Sequence, residues 1–170
     1  MLLCDFHIHT KYSDGSVELR KTVDLFGQAG FDVIAITDHV VNGDSSIGKL
    51  AHRFKFTIKE DNFNNYISHV EQEAIRAWNK YGMLVIPGVE ISSKDGHVLA
   101  YNVYENIPSG LSAAETISII QEKGGFAVFA HPFNVKYSLI EETLLSLNYN
   151  NYTLEVSNSH SLKNAYARQF

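Results

Sequence analysis

The chain has 170 residues, of which 45% are hydrophobic and 19% are charged, which is typical of one globular domain (residues 1–170) that buries a core. Its formal net charge of −5 argues against broad nucleic-acid binding, which needs a basic face. No apolar run approaches about 18 residues, and no basic segment precedes a long apolar one. We therefore expect neither a transmembrane helix nor a signal peptide.

The first predicted element is a strand that ends in two histidines. The apolar residues 1–4 lead into His7 and His9, and side chains two positions apart on a strand point to the same face. Two imidazoles that share one space are useful mainly when a cation lies between them, and a metal ion is the usual occupant. On this pair alone, a strand with two separately hydrogen-bonded histidines is an equally good interpretation.

Cys4 lies in this predicted strand and is the only cysteine of the chain. It therefore cannot form an internal disulfide, and it fits the reducing environment of the cytoplasm. We expect a cytoplasmic protein in which Cys4 is a small core residue.

A helix and a second strand are predicted next. Ser16 is the predicted N-cap of a helix that stops at Gly30, because apolar residues recur between them at near-helical spacing. Residues 31–36 form a nearly continuous apolar run, which is typical of a parallel strand buried on both faces. This strand ends at Asp38 and His39, and the whole segment is predicted to be a βαβ unit.

An irregular stretch and a long helix follow. Residues 40–60 predict a long loop, and loops of this length in compact domains are often functional. Residues 61–81 show the clearest apolar stripe in the chain, and Gly82 is the predicted end of that helix.

The later strands each place a potential ligand near one end. The third is predicted to run from residue 83 towards Glu90, the fourth covers 97–103 and so begins with His97, and the fifth covers 126–130 and so ends just before His131. We expect these side chains to lie at the rim of the fold.

Two capping boxes predict the remaining helices. Ser112 with Glu115 opens a helix before the fifth strand, and Ser138 with Glu141 opens another after it. The last predicted strand is residues 152–156, and a short polar tail follows it.

Potential metal ligands therefore recur at strand ends. In a barrel of parallel strands the C-terminal ends converge on one face, so residues distant in sequence meet there. Imidazole and carboxylate together suit zinc, manganese or iron. The candidate ligands are His7, His9, Asp14, His39, Glu90, His97 and His131.

Some of these residues also fit a purely structural role. Asp14 fits a turn before a glycine, His97 a surface position and His131 a rigid turn before a proline. Asp38 is interpreted as a residue that orients His39 rather than as a ligand. The joint occurrence of so many candidates favours the metal site.

Six motifs occur along the chain in this order: DFHIHT at residues 5–10, YSDG at 12–15, ITDH at 36–39, PGVEI at 87–91, HVLAY at 97–101 and AHP at 130–132. Together they resemble the polymerase and histidinol phosphatase (PHP) family of metal-dependent phosphoesterases. The resemblance implies an α/β fold, a distorted (β/α)7 TIM-like barrel, that holds two or three divalent ions (Mn, Zn or Fe).

The resemblance also implies a role for each candidate ligand. The first ion would be bound by His7, His9 and Glu90, the second by Glu90, His97 and His131, and the third by Asp14 and His39. A metal-bridging hydroxide would attack the phosphorus of a phosphomonoester or phosphodiester, because a metal lowers the pKa of its bound water. The metal-bound hydroxide is therefore the predicted nucleophile, and no side chain is predicted to be catalytic. Asp38 is expected to lie behind the ligands.

One part of the family pattern is missing. The family closes with an Asp-x-His pair after a late strand, and no such pair follows His131 here. We therefore expect a barrel that is incomplete at the C-terminus, lacks its final strand or strands, and has partial metal occupancy and weakened activity. An exposed edge beside the last strand would favour association with another chain, as in a homo-oligomer.

The sequence thus favours hydrolysis of a small phosphorylated substrate, with no membrane partner and with nucleic acid only as a substrate. Arg53 and Lys55 are candidate phosphate contacts, although a solvated basic pair is the simpler interpretation. The main alternative is a non-catalytic metal-binding or regulatory domain derived from such an enzyme. A third hypothesis is hydrolysis of a C–N bond, which metal barrels of similar layout perform.

Overall fold

The computed structural model describes residues 1–41, 49, 53, 56–132 and 153–155. The strands and helices bounded within this part of the chain are, in order, β1 (Cys4–Ile8), α1 (Leu19–Gln28), β2 (Val33–Val40), α2 (Glu60–Tyr81), β3 (Leu84–Ser92), β4 (His97–Tyr101), α3 (Ala113–Glu122), β5 (Phe126–Ala130) and β6 (Thr153–Leu154). Across the described residues, no helix combines the length and the apolar character needed to cross a membrane.

The strands form one curled sheet in the order β1-β2-β3-β4-β5-β6. Strands β1, β2 and β3 are parallel, β4 is antiparallel to both neighbours, and β6 is parallel to β5. Although β1 and β6 are at opposite edges, Glu155 beside β6 contacts His7 on β1 at 3.0 Å. The fold is therefore a mixed α/β partial barrel whose edges approach each other. The described residues supply six strands, so a seventh strand and an incomplete C-terminus stay predictions.

The reversed direction of β4 corrects the assumption of parallel strands throughout. Because β4 is antiparallel to β3, its first residue lies beside the last residues of its neighbours. His97 pairs with Ser92 at the end of β3 and with Ala130 at the end of β5. A histidine at the start of one strand thus reaches the same rim as histidines at the ends of the others.

Several predicted elements are confirmed. Helix α2 ends at Tyr81, and Gly82 takes the left-handed φ of 66° that the predicted helix stop requires. Ser112 and Glu115 form the predicted capping box of α3, with each side chain bonded to the other residue's backbone N–H. Strand β5 has the predicted bounds.

Other predicted boundaries differ from the structure. The N-cap of α1 is Glu18 rather than Ser16, and it makes no side-chain capping bond. Strand β1 begins where the apolar run was predicted to end, because backbone pairing with β2 rather than hydrophobicity defines it. The helix predicted from Ser138 and Glu141 lies outside the described residues.

Side chains alternate between two buried faces of the sheet. On β2, Ile34 and Ile36 pack in the main core with the helices, whereas Ala35 lies in a smaller cluster with Leu99 and Tyr101 on the other face. This confirms the prediction that β2 is covered on both faces. On β3, Val89 and Ile91 face the helices, so the intervening Glu90 lies on the same face as the smaller cluster.

A buried tyrosine ties α2 to the two central strands. Tyr66 has no exposed surface, and its hydroxyl donates to the carbonyl oxygen of Gly88 at 2.9 Å. The hydroxyl oxygen of Tyr66 also accepts the backbone N–H of Asp38 at 3.3 Å. This hydroxyl therefore satisfies backbone groups of β2 and β3 just below the rim.

We predict that Tyr66→Phe lowers the free energy of unfolding by about 1–3 kcal/mol, because it leaves buried backbone groups without a partner. The matched control is Tyr104→Phe, since the Tyr104 hydroxyl bonds Asn102 at an exposed position. We expect that control to change stability by less than about 0.5 kcal/mol. Urea denaturation measures both values, and equal losses in the two variants would contradict the role given to Tyr66.

Candidate metal centre

The centre of the rim is one buried carboxylate surrounded by imidazoles. Glu90 has no exposed surface. Its Oε1 lies 2.8 Å from His97 Nδ1 and 2.9 Å from His131 Nε2. Its Oε2 lies 3.2, 3.0 and 3.1 Å from nitrogens of His7, His9 and His39.

The fold explains why these residues meet. Glu90 and His39 are directly paired residues of the parallel strands β3 and β2. His97 enters from the reversed strand β4, and His131 follows the end of β5 directly. His7 projects from β1 at one edge of the sheet and reaches Glu90 because the sheet is curled.

The surroundings of Glu90 Oε2 are those of a cation ligand. Although three imidazole nitrogens lie within 3.2 Å, this buried oxygen has no hydrogen bond of acceptable geometry within the described residues. Buried polar atoms are nearly always satisfied, and a buried charge needs a partner. Here the imidazole nitrogens lie close to an anionic oxygen but do not point N–H groups at it. This is the arrangement expected of ligands around a bound cation.

Two ligand groups share Glu90. Within the described residues, possible ligand atoms lie within 4.8 Å of one another in His7, Glu90 and His131, and likewise in His9, His39 and Glu90. His7 Nε2, His9 Nε2 and Glu90 Oε2 also lie within 3.2 Å of one another, so the ion that the resemblance assigns to these three residues stays a prediction. The rings pack closely: His7 stacks on His131 with an interplanar angle of 23°, and His9 meets His39 edge to face.

Carboxylates behind His7 and His9 fix which nitrogen of each ring faces the centre. His7 Nδ1 lies 3.0 Å from Glu155 Oε1, and His9 Nδ1 lies 2.7 Å from Asp14 Oδ1. An ionised carboxylate only accepts, so each Nδ1 must donate. The two Nε2 atoms then face each other at 3.0 Å beside Glu90, an arrangement of acceptors that needs a proton or a metal ion between them.

The same contacts raise the pKa values of the two imidazoles. Burial disfavours the charged form of His7, but its hydrogen bond to Glu155 and the negative charge of the adjacent Glu90 outweigh burial and raise its pKa to about 9. Burial likewise opposes the charge on His9, but Asp14 and Glu90 raise its pKa to about 10. Without a metal, therefore, protons neutralise the acceptors of this centre.

The carboxylates show the complementary effect. Burial would raise the pKa of Glu90, but the charge of His39 and hydrogen bonds from other imidazoles hold it well below its usual value. The nearby imidazole of His39 and a hydrogen bond from His9 lower the pKa of Asp14. Both groups are therefore anionic and suited to cations. His97 differs, because burial lowers its pKa and keeps the imidazole neutral.

The Asp38 carboxylate holds the loop after β1 in place. Its Oδ1 accepts the backbone N–H of Thr10 at 2.7 Å and the hydroxyl of Ser13 at 2.6 Å, and its Oδ2 accepts the Thr10 hydroxyl at 2.8 Å. The sequence suggested that Asp38 orients His39. In the structure, this buried carboxylate instead fixes the loop that carries Asp14.

The structure describes every candidate site residue except Lys55. All seven candidate ligands lie at this rim, and Asp14 Oδ2 is 3.6 Å from His39 Nε2. Arg53 is exposed, and Lys55 lies outside the described residues. Glu155 was missed in the sequence, although its position near the end of the predicted strand 152–156 was the available signal, since the candidate ligands also occur near strand ends.

We predict that metal binding releases protons and strengthens as pH rises. Because His7 and His9 hold protons up to pH of about 9 and 10, an ion must displace them at neutral pH. The affinity for Mn²⁺ should rise roughly tenfold per pH unit for each displaced proton. Calorimetry in buffers of different ionisation enthalpy counts those protons. His9→Gln should lower the count, the control His69→Gln should not, and a flat affinity from pH 7 to 9 would contradict the prediction.

The sequence of this chain is similar to those of known proteins. The family model of the PHP domain matches residues 5–168. An uncharacterized protein of Methanocaldococcus jannaschii is 31% identical over 142 residues, which cover 76% of this chain and 67% of that protein.

Solved structures share the fold. A two-domain protein from Bacteroides vulgatus, which contains a predicted PHP-like metal-dependent phosphoesterase, gives a TM-score of 0.66 at 24% identity over 94% of this chain. This chain spans only 45% of that protein. An amidohydrolase from Chromobacterium violaceum, with bound sulfate and no metal, gives a TM-score of 0.64 at 15% identity over 97% of this chain and 81% of that one.

The family match extends over nearly the whole described sheet and includes every candidate ligand. It confirms the resemblance found in the sequence motifs. The chain belongs to the PHP domain family.

Proposed function

We propose that the chain hydrolyses a phosphomonoester or phosphodiester with two or three divalent ions, manganese, zinc or iron, held at this rim. The observation that supports the proposal is the buried Glu90 carboxylate, whose two oxygens are approached by five imidazole nitrogens. Membership of the PHP family and the fold shared with the Bacteroides protein point in the same direction.

The charge of the rim makes substrate binding depend on cations. Asp14, Glu90 and Glu155 present three carboxylates there, and the whole chain has a net charge of −5. These groups would repel a phosphate ester. Bound divalent ions reverse the local sign, so the side chains that hold them also make the rim attractive to phosphate.

The side chains of the centre have different roles. Divalent ions, when bound, supply an acidified water and neutralise charge that develops on phosphoryl oxygens. Glu90 sets the spacing of the two ligand groups because it belongs to both. Asp38 holds the Asp14 loop through Thr10 and Ser13, so the exposed side of the centre keeps its shape.

The substrate is proposed to be a small phosphorylated molecule. The net negative charge is unfavourable for a long polyanion away from the metal centre. Arg53 is proposed as a phosphate contact beyond the ligands, and Lys55 in the same segment remains a proposal from the sequence.

We predict that the protein hydrolyses p-nitrophenyl phosphate or bis(p-nitrophenyl) phosphate with added Mn²⁺ and loses this activity in EDTA. Glu90→Gln should lower kcat/KM by more than about 100-fold, because loss of even an outer partner of metal ligands costs about 10–100-fold. The control is Glu122→Gln, since Glu122 is exposed on α3 and bonds only the Ser118 hydroxyl among its described contacts.

The same assay separates the alternatives. Metal binding without turnover of either phosphate ester would favour a non-catalytic metal-binding or regulatory domain. Turnover of p-nitroacetanilide but of neither phosphate ester would favour C–N bond hydrolysis. Mn²⁺-independent turnover that Glu90→Gln leaves unchanged would sink the proposal altogether.

A further inference from the structure

We propose that Glu155 is a positioning residue of the metal centre, which orients the His7 ring and fixes the backbone of His131. This inference rests on the proposed function, because it concerns how the chain holds its ions. Glu155 directly follows β6, and its side chain is 11% exposed. It is therefore an interior group rather than a surface charge.

The geometry around His7 places Glu155 behind the ring. Glu155 Oε1 contacts Nδ1 at 3.0 Å, whereas Nε2, on the other side of the ring, lies 3.2 Å from Glu90 Oε2. Because the carboxylate accepts a hydrogen bond, Nδ1 carries the proton and the Nε2 lone pair points into the centre. A carboxylate in this position fixes the tautomer and raises the basicity of a ligand histidine.

The second oxygen of Glu155 stabilises an unusual backbone conformation. His131 has a φ of 31°, which is costly for a residue other than glycine. Its backbone N–H donates to Glu155 Oε2 at 2.6 Å, and its Nε2 lies 2.9 Å from Glu90 Oε1. One carboxylate thus controls two ligand residues from two different strands.

The backbone of Glu155 is itself anchored. Its N–H donates to the carbonyl oxygen of Phe129 at 2.9 Å, which continues the β5–β6 pairing. The contact with His7 joins β6 to β1, the two edge strands of the curled sheet. Glu155 therefore transmits the position of β5 and β6 to the ligand on β1.

Asp14 offers a useful comparison. It contacts Nδ1 of His9 as Glu155 contacts Nδ1 of His7, but its side chain is 54% exposed. The buried, doubly bonded Glu155 is held more firmly. We therefore expect the orientation of the His7 ring to depend on Glu155. Solvent water should not replace the hydrogen bond that is lost with its carboxylate.

The experiment measures metal binding by Glu155→Ala and Glu155→Gln, with Glu122→Gln as the matched control. We expect Glu155→Ala to weaken Mn²⁺ binding by about 10–100-fold in calorimetry. Glu155→Gln should lie between Glu155→Ala and wild type, because an amide has one accepting oxygen for two N–H donors. The isosteric glutamine variant also keeps the test valid should the alanine variant fail to fold.

A spectroscopic readout separates positioning from general stability. In the Zn²⁺-loaded wild type, long-range ¹H–¹⁵N spectra should show His7 protonated at Nδ1 and bound through Nε2. Glu155→Gln should alter that signature while thermal unfolding and the Glu122→Gln spectrum stay unchanged. Binding of His7 through Nδ1 in the wild type would overturn the inference.

The outcomes also distinguish this inference from the proposed function. A wild-type protein that binds neither Mn²⁺ nor Zn²⁺ would overturn both. A wild-type protein that binds metal, with Glu155→Gln and Glu155→Ala equal to it in affinity and His7 signature, would overturn the role of Glu155 alone.

Discussion

The arrangement of the rim depends on one buried anion. Glu90 is fully buried on the face of β3 opposite the main core, and burial alone would favour its neutral form. Imidazoles from several strands keep it charged, and in turn it draws their nitrogens to within 3.2 Å. A buried charge is tolerated only where it is paired, so this one carboxylate couples the packing of the strands to the chemistry of their ends.

A second set of carboxylates controls the rings from outside. Asp14 and Glu155 accept from Nδ1 of His9 and His7, so that both Nε2 atoms face Glu90. These contacts leave acceptors pointing at one another across 3.0 Å, which is unfavourable until a proton or a metal ion lies between them. A proton between them can take the place that a metal ion would have, and this explains why burial fails to lower the pKa of either imidazole.

The direction of one strand determines how the rim is assembled. If β4 were parallel to β3, His97 would lie at the far end of the sheet from Glu90. The reversal brings it to 2.8 Å from Glu90 Oε1 and pairs it with Ala130 at the end of β5, directly before His131. The Tyr101 hydroxyl, at the other end of β4, donates to the Phe6 carbonyl of β1 and helps to hold the curl.

The sequence by itself determined the helix stop at Gly82, the capping box of α3, the bounds of β5 and the residue types of the centre, because these follow from local periodicity, backbone preference and ligand chemistry. Strand direction, the pairing of His7 with His131, the attachment of Asp38 to the Asp14 loop and the role of Glu155 were decided only by the tertiary structure. They depend on contacts between segments as far apart as His7 and Glu155, 148 positions along the chain. No local pattern encodes such a contact, since it exists only once the curled sheet brings its two edges together.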